Sequence, residues 1–151
     1  MKLTALFAFL IASQFAFAAE PIARYTENFN VKGFSKITIM DDGSITYEER
    51  TENYHLNGPS EAKKLTARQV AALKTKIAKI VKPTTDYGGQ IECLPSYIAD
   101  TTFEVIKNKR KILIKAEEGC FSRIYHNGRN YDETLGVIEA LSKANSQQPR
   151  G

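Results

Sequence analysis

Apolar and polar side chains alternate one by one through Lys36–Met40 and Ser44–Glu48, and again through Thr102–Ile106 and Lys111–Ala116. A period of two marks a strand with one buried face. Asp41-Asp42-Gly43 separates the first two runs and Lys107-Asn108-Lys109-Arg110 the second two, and a short polar turn between alternating runs predicts an antiparallel hairpin. Ile37, Ile39, Ile45 and Tyr47 share the inner face of the first hairpin. Phe103, Val105, Ile112 and Ile114 share that of the second, with Leu113 as an apolar exception on the outer face.

Between the hairpins the period lengthens. Val70, Leu73, Ile77 and Ile80 recur at helical spacing, Thr66 and Gln69 stand at capping-box distance, and Leu65 with Val70 fits a hydrophobic staple. Pro83 closes this helix. A second helix is predicted over Glu133–Ala144, capped by Asp132 and burying Leu135, Ile138 and Leu141. Weaker patterns fill the rest. Tyr25, Phe29 and Val31 suggest an extended lead-in, and Glu49–Lys64 and Thr84–Ile98 read as loops. Phe121–Tyr125 reads as a short fifth strand, and residues 145–151 as a flexible tail.

Hairpin, helix, hairpin, helix predicts an α+β two-layer sandwich: an antiparallel sheet of four to five strands with two helices on one face. The other face, rich in Lys, Thr and Glu, is expected to be wet. Cys93 and Cys120, the two cysteines of the chain, flank the second hairpin. A disulfide between them would close a loop of about 28 residues and stabilise the fold by about 3.5 kcal/mol.

The N-terminus changes the setting. Lys2, the apolar run Leu3–Ala12 and Ala16-Phe17-Ala18 together have the form of a secretory signal peptide cleaved after about Ala18. Residues 19–144 are then one exported domain, secreted or periplasmic, with no transmembrane segment in the mature chain. Loss of Lys2 leaves the mature charge one unit below the +4 of the whole chain. That mildly basic balance permits an anionic partner without requiring one.

Little in the chain points to catalysis. His55 and His126 have no ligand spacing to another His or Cys, and zinc needs three or four convergent ligands. Cys120 and His126 would form a nucleophilic pair only if the thiol were free. Phosphate-binding and dinucleotide glycine loops, the nucleophile elbow and the zincin motif are all absent, and no cofactor is expected. Glu48-Glu49 and Glu117-Glu118 are neighbours on strands and point to opposite faces. The basic run Lys107, Lys109, Arg110, Lys111, extended by Lys115, suits either a solvated turn or an anion contact. No aromatic platform interleaves it, so nucleic acid is not expected as a partner.

These features favour a non-catalytic binding protein whose partner is another protein or an anionic envelope component. An inhibitor of a secreted protease or other enzyme is the alternative, and an unrecognised hydrolase the third reading. The contact loops would be Asn53–Ser60, with Tyr54, His55 and Asn57, and Tyr87–Ser96, with Tyr87 and Leu94. The element order is similar to that of the emfourin family, bacterial inhibitors of thermolysin-like metalloproteases. This resemblance lies in the order alone and assigns no residue.

Overall fold

The computed structural model describes residues 18–29, 33–53, 55–60, 62–91 and 99–148. The first two strands show why alternation alone was an incomplete guide. Strand β1, Pro21–Phe29, was expected only as a lead-in and lies at the centre of the sheet. A register shift between Pro21 and Ala23 makes Ile22 and Ala23 consecutive buried residues, which hides its period. It pairs on one side with β2, Gly33–Met40. On the other side it pairs with β6, Asp100–Lys107.

The remaining strands are β3 (Ile45–Arg50), β4 (His55–Pro59), β5 (Thr85–Gln90), β7 (Arg110–Glu118) and β8 (Phe121–His126). Their order is β4-β3-β2-β1-β6-β7-β8-β5, and every neighbouring pair is antiparallel. The sheet therefore has eight strands and not four or five. Segments expected to be loops supply β4 and β5, and the lead-in supplies β1. Cys120 is disulfide-bonded, and Cys93, the partner expected from the sequence, lies outside the described residues. Most of the expected signal peptide, Val31, Tyr54 and Leu94 likewise lie outside the described residues.

Register places the inner-face residues in rows that cross the strands. Ile45, Ile39, Ala23, Val105 and Ile112 form one row, and Tyr47, Ile37, Tyr25, Phe103 and Lys115 the next. A bulge beside Phe103 and Glu104 adds one residue to β7, which buries Ile114 completely. The β6–β7 turn holds Asn108 and Lys109 at φ 52° and 62°, the paired positive values of a two-residue hairpin turn.

Helix α1, Ala67–Lys79, starts with the expected capping box: Thr66 and Gln69 satisfy one another's backbone N–H groups. The β2–β3 turn docks on this end. Leu65 donates its N–H to the Gly43 carbonyl at 2.9 Å. Gly43 has φ +86°, and a Cβ there would lie 2.6 Å from the Leu65 oxygen, so only glycine fits. The turn has no metal-loop character: the Asp42 carboxylate accepts the N–H of Ser44 at 2.8 Å and its hydroxyl at 2.6 Å.

Helix α2, Tyr131–Ser146, is the element that covers the sheet, touching β1, β2, β6, β7 and β8. Its N-cap is Asn130 and not Asp132. The Asn130 side chain makes no cap bond; it accepts the N–H of Asn127 at 3.0 Å and donates to the Lys79 carbonyl at 3.4 Å. The buried stripe is Thr134, Val137, Ile138, Leu141 and Ala144, so Val137 takes the place expected for Leu135, which is 38% exposed. No helix among the described residues is long and apolar enough to cross a membrane.

Two stability outcomes follow from this packing. Leu141→Ala opens a cavity beneath a fully buried side chain and should cost about 2–5 kcal/mol in urea denaturation. Leu135→Ala should stay within about 0.5 kcal/mol. Separately, the Ser44 hydroxyl, foremost among its partners, lowers the Asp42 pKa to about 2 from 3.8. The folded state thus prefers the carboxylate, and its contribution is full above the unfolded pKa and lost as pH falls through about 2. The stability gap between wild type and Asp42→Asn should close between pH 5 and pH 2.

Candidate functional site

The sequence-selected residues scatter over the sheet instead of converging. Lys107 is engaged: its Nζ donates to the carbonyls of Ala78 at 2.7 Å and Ile80 at 3.4 Å, where the last carbonyls of α1 lack helical partners. Lys115 is 19% exposed, 5.0 Å from the Phe103 ring centre and 2.6 Å from Glu117. Lys111 stands 3.9 Å from Glu104. Lys109 and Arg110 remain at the hairpin tip without an ion pair among the described residues. The five cations thus divide between helix capping, cross-strand pairing and a two-residue exposed tip.

His55 sits on the open face near Glu48, 3.2 Å away. Glu48 also binds Lys36, and that bond, ahead of the His55 contact, holds its carboxyl below the usual range. His126 accepts the Gly128 N–H at 2.8 Å and packs edge-on against Tyr131. The two histidines stand six strands apart, about 29 Å across the sheet. Cys120 and His126 lie at opposite ends of β8, about 20 Å apart. Among the described residues no group of three His, Cys, Asp or Glu side chains is placed to hold a metal.

The most unusual surface is the β5 end of the sheet. All six residues of β5 are exposed. Tyr87 is 69% exposed and Phe121, on the neighbouring β8, 57%; Ile91 follows β5 and is exposed as well. Tyr87 pairs with Ile124, Gly88 with Arg123, and Gln90 with Phe121. Ile91 extends the ladder by donating its N–H to the Cys120 carbonyl at 2.8 Å. Strand edges are normally guarded by lysine, proline or a bulge. β5 has none of these; its one charge, Asp86, lies 3.4 Å from Arg123. The opposite edge, β4, ends at Pro59, which offers no N–H, and His55 and Asn57 lie on it.

Compared with known proteins, the chain matches no family model, no curated protein and no solved structure. The site is therefore defined by its geometry. Sequence reasoning selected Tyr87 but placed it in a loop, whereas it lies on β5; Phe121 was read only as part of a strand. The signal that could have found the edge is the unguarded run Thr85–Gln90, with a tyrosine beside two glycines.

The two glycines of β5 separate structure from surface. A Cβ on Gly88 would lie 2.3 Å from the Ser122 carbonyl, whereas one on Gly89 meets nothing within 4 Å. Gly88→Ala should cost about 1–3 kcal/mol by overpacking. Gly89→Ala should leave stability within about 0.5 kcal/mol in the same denaturation assay.

Proposed function

We propose that this protein is a non-catalytic binding protein, exported from the cell, that takes an extended segment of a partner protein onto the free edge of β5. The unguarded edge is the observation that carries this reading. Among the described residues, six exposed positions present backbone groups without a ladder partner along one side, and Tyr87 and Ile91 supply apolar contacts that a strand laid beside them would cover. Strand addition draws its affinity from main-chain hydrogen bonds and its selectivity from alternate side chains. A preformed edge adds little ordering cost to such binding. Of the two loops on which an inhibitor reading rested, Asn53–Ser60 contains β4 and Tyr87–Ser96 begins with the last four residues of β5. The leader-like residues 1–18 support export.

A peptide library selected on the immobilised mature protein provides the test. Selected peptides should be extended, should raise hydrogen-exchange protection across Thr85–Gln90, and should bind at least tenfold more weakly to Tyr87→Lys/Gly89→Lys. That variant adds two edge charges at positions with room for them. Protection elsewhere, or equal affinity for the variant, would overturn the reading.

A further inference from the structure

The two helices run antiparallel across the sheet. Lys79 of α1 pairs with Glu133 of α2 at 2.7 Å, and the Lys76 side chain lies over Gly136. Beyond this contact the helices face each other through small side chains, Ala72 on α1 and Ala140 and Ala144 on α2. A groove of about 530 Å³ opens there, within the size range of small-molecule sites. Its floor is apolar, with Leu73, Ile45 and Leu65 beneath the alanines. Lys63, Lys64, Lys76 and Lys143 line it, and among the described residues no Asp or Glu does. Lys64 pairs with Asp42 at 3.3 Å, while the Lys63 and Lys143 side chains have no hydrogen bond or ion pair among the described residues.

We propose that this groove binds a single-chain amphiphilic carboxylate, its alkyl chain along the alanine floor and its head group between Lys63 and Lys143. The site is independent of the β5 edge. Charge complementarity fixes the sign of the ligand: among the described lining residues four are cations, one of them paired with Asp42, and none is an anion, an arrangement that repels a cationic amphiphile and leaves a neutral one unrewarded. Shape fixes its thickness. Lining residues run from Gln69 to Lys76 on α1, about two turns or 10 Å, and from Gly136 to Gln147 on α2, about 16 Å. A docked helix about 10 Å across would need roughly 800 Å³ over two turns, more than the groove holds. A single alkyl chain is thin enough to lie within it.

Titration calorimetry of the full mature chain with dodecanoate below its micellar concentration tests the proposal. Each methylene buried should tighten binding about fourfold until the groove is filled. Dodecanoate should therefore bind more than tenfold better than octanoate, and more than tenfold better than dodecyltrimethylammonium. Added salt should weaken it. Lys63→Glu/Lys143→Glu changes two exposed residues and should lose at least tenfold in affinity with its melting temperature unchanged. Ala140→Phe should block the alkyl chain, with circular dichroism confirming that it folds. The β5 variant Tyr87→Lys/Gly89→Lys should bind dodecanoate as wild type does. Equal binding of the cationic amphiphile, an unaffected charge-reversal variant, or affinity for anionic vesicles with none for dodecanoate would each overturn the proposal.

Discussion

The pairing of β1 with β6 is the constraint on which the rest of the molecule depends. It joins two sets of four strands that are otherwise almost contiguous in sequence, and it places Ala23 opposite Val105, both without solvent exposure. The small side chain of Ala23 lets α2 approach the middle of the sheet, where Val137 and Leu141 complete the same core cluster. Tyr25 and Phe103, also paired, meet edge to face with ring centres 4.9 Å apart. Such contacts add to the area they bury. Once this seam is set, α2 covers five strands, and α1 is held by its cap, by the β2–β3 turn and by Lys107.

The same arrangement determines what remains available for recognition. The helix-free face is laced by cross-strand pairs such as Lys36 with Glu48 and Arg123 with Asp86. Such surface pairs contribute little stability. The β4 edge carries a proline. Among the described residues, what is left uncommitted is the outer edge of β5 and the space between the helices, one extended and the other concave. Neither depends on the basic hairpin that charge alone made prominent, because that hairpin spends Lys107 on a helix end and Lys115 on Phe103 and Glu117.

Much of the centre was legible from sequence. Ile37, Ile39, Phe103, Val105 and Ile114 alternate because one face of each strand is buried, and they are core residues. The capping box of α1 was visible because it is local chemistry. The strands that escaped notice did so for physical reasons. β1 carries a bulge that breaks its period, and β5 is exposed on both faces, so no alternation exists to be read. β4, with Asn57-Gly58-Pro59, has turn chemistry and becomes a strand through its ladder to β3. Asn130 displaced Asp132 as the cap because α2 starts against Lys79, a contact made only in the folded chain. The β5 edge was hidden because exposure is a property of the assembled sheet.

The central seam also has a consequence for biosynthesis. β1 meets β2 within a few residues, but its other partner is made only after both α1 and β5 have emerged. Topologies dominated by such distant pairings fold slowly, because chain closure precedes its reward. Until β6 arrives, the first four strands end on a bare β1 carrying Ala23 and Tyr25, and a nascent or truncated chain that stops before Asp100 keeps that edge permanently. Such fragments are templates for intermolecular pairing, so this protein depends on being released whole or on being kept extended until its second half is complete.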